Sequence, residues 1–184
     1  MSPGTRKTIQ AVVALLVAVA YLAIENRWFS GGKAAGPPAP GATSGYDPAS
    51  ASPSDAIPGG GLAAHEGVDG GHTLDRHVGR TVPQLRRRLE QEGKREVSTF
   101  PDVTSADRSV AQALYDRRAD VARWLASRPS GNEPFPSRMR APVGSVLSRG
   151  ASDVVPGRSV QVVLAPSRRF REGFRIVTAY VTLP

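Results

Sequence analysis

The chain has 184 residues, with 24 Lys and Arg against 16 Asp and Glu, for a formal net charge of +8. It contains no cysteine, which excludes a disulfide-stapled mini-protein, a thiolate zinc site and a thiol nucleophile. The 19 glycines and 16 prolines suggest that part of the chain is unpacked, and the basicity points to polyanionic partners: nucleic acid, an anionic membrane or an acidic protein.

Residues 9–24 (IQAVVALLVAVAYLAI) carry no charge and follow Arg6 and Lys7. As a helix they would rise about 24 Å, a little short of a hydrocarbon core of roughly 30 Å, and the flank through Trp28 and Phe29 lengthens the segment. Residues 1–29 therefore read as a signal peptide or an uncleaved signal anchor, with Ala18-Val19-Ala20 resembling a cleavage pattern. Either reading exports the remainder, as a secreted protein or as a domain held outside by a single membrane pass. Residues 30–60 are mostly Gly, Pro, Ala and Ser and cannot bury enough apolar surface to offset their chain entropy, so they read as a disordered linker.

Residues 61–184 read as one compact domain, and they carry all but one unit of the net charge. Gly61–Glu66 is expected to form a turn or two of helix, ended by Gly67, Gly70 and Gly71. Thr81-Val82-Pro83-Gln84 is a helix start, with Thr81 as N-cap, Pro83 in the first turn and Gln84 completing a capping box. That helix runs to about Glu92 and stops at Gly93. Glu96–Phe100 reads as a short strand. A second start at Thr104-Ser105-Ala106-Asp107 opens a helix through Val110, Leu114, Val121 and Leu125, ending near Ser127. Residues 128–142 hold four prolines and read as loop. Val143–Leu147, Ser159–Leu164 and Gly173–Leu183 read as strands separated by Gly/Pro turns. Helices followed by strands predict an α+β fold.

The histidines His65, His72 and His77 fall within thirteen positions. His65-Glu66 begins like a zinc helix motif, but Asp69 stands where the second histidine belongs, and the glycines break the helix that a shared face would need. No nucleophile elbow, P-loop or dinucleotide fingerprint is present. Arg86-Arg87-Arg88 lies on the first long helix. Arg87 points away from the apolar face of Val82, Leu85 and Leu89, and periodicity does not choose between Arg86 and Arg88. On the last strand, alternation sets Ile176, Thr178, Tyr180 and Thr182 on one face and the apolar Val177, Ala179, Val181 and Leu183 on the other. The first face offers two hydroxyls to an anion.

The segment GGHTLDRHVG (Gly70–Gly79), the arginine eleven positions after His77, the STF segment before the long Ala/Trp helix and the closing T-A-Y together resemble the bacterial RNase A-like toxin domain. That family sits at the C-termini of contact-dependent inhibition and other polymorphic toxins. The resemblance spans residues 61–184. It implies a kidney-shaped RNase A-like fold, with N-terminal helices followed by an antiparallel sheet and no disulfides. It also implies ribonuclease activity with neither metal nor cofactor, yielding a 2′,3′-cyclic phosphate. The family site falls on His77, Arg88, Thr178 and Tyr180, with His72 a possible addition. The residue types suit the reaction. A histidine moves protons near neutrality, an arginine holds phosphate oxygens, and hydroxyls stabilise charge that develops in the transition state. His77 would be the general base, or the acid in the reverse geometry, while His72 and Tyr180 are both candidates for the second proton transfer. The implied partners are RNA, a cognate immunity protein (an acidic one suits the charge) and, if the first segment is uncleaved, the membrane; the domain is expected to be a monomer. The alternative is a non-catalytic basic module that binds nucleic acid or envelope polyanions.

Overall fold

The computed structural model of the protein describes residues 56–183. The expected signal or anchor segment and the linker through residue 55 lie outside the described residues. Among the described residues, no helix is long and apolar enough to cross a membrane. Ala56 and Ile57, which precede the expected domain boundary at 61, are buried in the main core.

Single 3₁₀ turns at Pro58–Gly60, Leu62–Ala64 and Val68–Gly70 lead into α1 (Thr73–His77) and α2 (Val82–Glu92). After β1 (Glu96–Thr99) come α3 (Val103–Asp116) and α4 (Arg118–Ala126). The strands β2 (Glu133–Arg138), β3 (Gly144–Ser148), β4 (Val155–Gly157), β5 (Ser159–Pro166) and β6 (Phe174–Thr182) complete the chain. They form two antiparallel three-stranded sheets, β1-β3-β4 and β2-β5-β6. The α+β expectation of helices first and antiparallel strands later is met, and the chain has no cysteine to form a disulfide.

Helix α2 starts and stops where its sequence signals lie. Gln84 Oε1 accepts the Thr81 N–H at 2.8 Å, Pro83 sits in the first turn, and Gly93 ends the helix with φ 64°. Its apolar stripe, Leu85 and Leu89, is buried with Val97 of β1 and Leu147 of β3 in a small core. The main core lies between α3, α4 and the β2-β5-β6 sheet, around Val110, Leu114, Val121, Phe135, Val160, Val162, Leu164, Phe174, Ile176, Ala179 and Val181.

Four details depart from the sequence reading. The long helix is two helices, broken at Arg117 (φ −97°, ψ 10°), whose Nε donates to Pro136 O at 2.6 Å. The break lets Trp124 of α4 meet Phe135 of β2 edge-on, with ring centroids 5.7 Å apart. The first of these helices is capped by Asp102, which accepts the Ser105 N–H at 2.7 Å, rather than by Thr104. The expected loop 128–142 contains β2. Phe135 and Ser137 point inward while Pro134 and Pro136 face out, and an edge strand tolerates residues that lack an N–H. Finally, β4 escapes sequence reading because it has three residues and contains Pro156. Gly157 belongs there because a Cβ would stand 2.3 Å from Val181 Cγ1, where β4 closes on β6.

Strand β6 carries a register shift that the alternation argument did not contain. Thr178 pairs with Val163, but Ile176 pairs with Leu164, which leaves Val177 as the extra residue. Ile176 therefore turns to the core with Phe174, Ala179 and Val181 instead of sharing the outer face with Thr178 and Tyr180. The bulge corrects the expected faces without moving the two hydroxyl residues.

Candidate functional site

The β6 edge away from β5 is covered by the segment from His65 to Thr73. The Ile176 N–H donates to His65 Nδ1 (3.2 Å), the His72 N–H to Val177 O (3.1 Å) and the Ala179 N–H to Thr73 Oγ1 (2.9 Å). An exposed strand edge is thereby satisfied, and α1 is fixed in register against β6. Glu66 caps α1, accepting the N–H groups of Leu74 (2.8 Å) and Asp75 (3.0 Å). Gly71 makes the approach possible, since a Cβ there would lie 2.0 Å from His65 O. At the other end of α1, the Phe100 N–H donates to His77 O at 2.7 Å. Helix α1 is thus tied to β6 at its start and to the residue after β1 at its end.

His65 has a structural role in this arrangement. It donates from Nε2 to Pro58 O at 2.9 Å and accepts at Nδ1, a fixed neutral tautomer with both nitrogens engaged. Burial lowers its pKa below 6.5. Glu66 and His65 are therefore used in folding, and neither nitrogen of His65 is left for a metal.

His77 is 8% exposed and stacks on Tyr180, with ring centroids 5.4 Å apart. Its Nδ1 is buried with no hydrogen-bond partner among the described residues, as is Thr178 Oγ1. Burial first, then the charges of Arg88, His72, Arg76 and Lys94, hold the His77 pKa well below 6.5, so the ring is neutral at physiological pH. The His72 ring lies 6.3 Å from that of His77. His72 Nδ1 donates to Gly70 O at 2.7 Å, so Nε2 is the ring nitrogen left to meet a substrate. Burial raises the Tyr180 pKa above 10, so its hydroxyl remains a donor.

Arg88 is held by three hydrogen bonds to two partners. Its Nε donates to Glu92 Oε1 (3.1 Å), Nη2 to Glu92 Oε2 (3.5 Å) and Nη1 to Arg76 O (2.7 Å). A guanidinium has five N–H groups, so two remain for an oxyanion. Glu92 also pairs with Arg76 at 2.5 Å and Lys94 at 3.4 Å. Burial alone would raise the Glu92 pKa, but Arg88 and its neighbours hold it below the usual carboxylate range. Three cations gather around one carboxylate, an excess of positive charge beside a neutral imidazole. Arg86 turns the other way, donating to Ser152 O and Ala151 O, and Arg87 is exposed. Of the two arginines that periodicity leaves open, Arg88 is the one whose guanidinium reaches α1.

The family described as Bacterial CdiA-CT RNAse A domain matches residues 71–180. The chain belongs to this family. Its structure is similar to the crystal structure of a CdiA-CT/CdiI complex from Y. kristensenii 33638, with 28% sequence identity and a TM-score of 0.57. That match covers 61% of this chain and 99% of the other. No curated protein matches.

The CdiA-CT RNAse A domain is thus a toxin domain used in competition between bacteria. In this member, His72, His77, Arg88 and Tyr180 come together at one place, with Thr178 two residues from Tyr180 on the same face of β6. Sequence reasoning missed Glu92, Arg76 and Lys94. Glu92 stands four residues after Arg88, a spacing that signals an ion pair on one helix face. Nothing local signals that Arg76 O and Arg76's own side chain complete the clamp, because that needs α1 packed beside α2.

Proposed function

We propose that this toxin domain is a metal-independent endoribonuclease that cleaves RNA by transesterification. The observation that carries this reading is the buried, neutral His77, stacked on Tyr180 and bordered by Arg88 and His72. The 2′-hydroxyl of the substrate loses its proton to His77, whose ring is neutral at physiological pH and so has a lone pair to receive it. The 2′-oxygen attacks the adjacent phosphorus, the bond from phosphorus to the 5′-oxygen breaks, and a 2′,3′-cyclic phosphate is left on one fragment. The two unused N–H groups of Arg88 meet the phosphorane oxygens, and the Thr178 and Tyr180 hydroxyls bind the same phosphate. His72 protonates the departing 5′-oxygen. Its Nδ1 is tied to a backbone carbonyl, so Nε2 is the nitrogen presented to the substrate. Tyr180 is the weaker candidate for that acid, since burial makes its proton harder to release.

The chain that carries this domain is further inferred to be exported through residues 1–29 and a linker, and to act in a target cell. A cognate immunity partner is inferred from the CdiA-CT/CdiI complex, and an acidic partner suits the basic domain.

Cleavage of RNA in EDTA by the wild-type protein, abolished in His77→Ala, is the expected result. His72→Ala should cut natural RNA about 10²–10⁴-fold more slowly. On a uridine 3′-phosphate aryl ester, whose leaving group needs no proton, it should lose far less. An equal loss on both substrates would remove His72 from the acid role. RNA bound but uncut by the folded wild-type protein would favour a binding module.

A further inference from the structure

We infer that Gln161 reads the base of the nucleotide whose ribose is attacked, as a hydrogen-bond donor to a ring carbonyl. The inference rests on the ribonuclease reading, and it adds a specificity residue to that site. The β5–β6 register sets Gln161 directly opposite Tyr180 and Val163 opposite Thr178. Side chains directly opposite across an antiparallel pair stand about 4.5–5.5 Å apart at Cβ and share a face. Gln161 is therefore a neighbour of Tyr180, on the face opposite the buried Val160, Val162 and Leu164. Its Nε2 is buried and has no hydrogen-bond partner among the described residues. A buried amide without a partner is costly to keep. We read it as a donor held for a group that arrives with the substrate.

The surroundings suit a base better than a phosphate. On the far side of Gln161, β2 places Pro136 opposite it and Pro134 opposite Val163. Pro134, Pro136 and Val163 form an uncharged, apolar strip, which a flat ring can lie against and which offers a phosphate nothing. The cations Arg76, Arg88 and Lys94 gather instead around Glu92. Phosphate at Arg88 and His77, with base along β5, runs the nucleotide across β6 from α1 toward β2. Nε2 can only donate. At the pyrimidine 4-position and the purine 6-position, it suits the carbonyl of uracil or guanine and opposes the amine of cytosine or adenine.

The test compares initial rates on the four ribodinucleotides NpA for wild type and Gln161→Leu, a close match in volume. The wild type is expected to favour U over C and G over A, by about tenfold. Gln161→Leu should bring both ratios close to one without lowering Tm, because leucine removes an unpaired buried amide. Equal slowing on all four substrates, or unchanged ratios, would overturn the base assignment. Binding of the uncleavable deoxydinucleotides dUpdA and dCpdA, measured by calorimetry, separates this claim from the reaction. A uracil preference that vanishes in Gln161→Leu keeps the base reading even if the wild type cuts no RNA. Equal binding of the two by the wild type would overturn it.

Discussion

On one face of β6, Phe174, Ile176, Ala179 and Val181 are buried in apolar company and have no polar side-chain atom to satisfy. On the other, Thr178 Oγ1 is buried without a partner among the described residues, His77 Nδ1 beside Tyr180 is in the same state, and so is Gln161 Nε2 across the register. The same strand thus follows two rules. The inner face maximises burial. The outer face withholds hydrogen bonds that the free protein would gain by making, which is what a site prepared for a polar ligand does. A bulge at Val177 divides the strand so that both rules hold along its length.

The contrast can be broken most forcefully from the inner face. Phe174→Ala removes a fully buried ring and should cost about 3–5 kcal/mol in urea unfolding. A loss under 1 kcal/mol would mean that this face is not the core described. Glu92→Gln acts on the outer face alone. It keeps the volume but loosens the clamp on Arg88, and cleavage should fall about 10- to 100-fold with little change in Tm. An undiminished rate would show that Arg88 does not need that placement.

Acid sharpens the comparison from another direction. The pKa values of His65 and His77 are lowered in the folded state, so unfolding takes up protons as pH falls. Their contribution to stability is complete above pH 6.5 and declines below it, by up to about 1.4 kcal/mol per pH unit for each histidine. His77→Gln should flatten part of that decline in urea titrations repeated from pH 7.5 to 4.5. A wild-type stability that is level across this range would contradict the buried neutral assignment. The smallest effect is expected from Thr178→Val, a change of hydroxyl to methyl. Stability should hold or rise by up to about 1 kcal/mol, while cleavage drops at least tenfold. A clear loss of stability would mean that the hydroxyl has a partner in the free protein.

Much of this was legible in the sequence, for reasons that differ along the chain. Helix α2 is readable because its start and stop are local: Thr81, Pro83, Gln84 and Gly93 act through neighbours in sequence. The residues brought together around His77 were readable as a family pattern and as suitable chemistry, and the structure supplies their common location. The inward turn of Ile176 was hidden because alternation assumes an unbroken register, and the bulge is a matter of pairing with β5. Strand β2 was hidden because its prolines mark loops everywhere except at a sheet edge. Glu66 and His65 looked like the opening of a metal motif, but tertiary contacts assign one to capping α1 and the other to bridging Pro58 and Ile176. Gln161 drew no notice, since only the cross-strand register places it beside Tyr180.

The central claim, that the outer face of β6 and α1 perform transesterification on RNA, is tested most directly by a DNA oligonucleotide carrying a single ribonucleotide. The purified protein is incubated with it in EDTA and the products are analysed by mass spectrometry. Cleavage only on the 3′ side of the ribose, leaving a 2′,3′-cyclic phosphate, is the predicted result. Cleavage at deoxy positions, or a product ending in a 5′-phosphate, would show that the 2′-hydroxyl is not the nucleophile and would contradict the account.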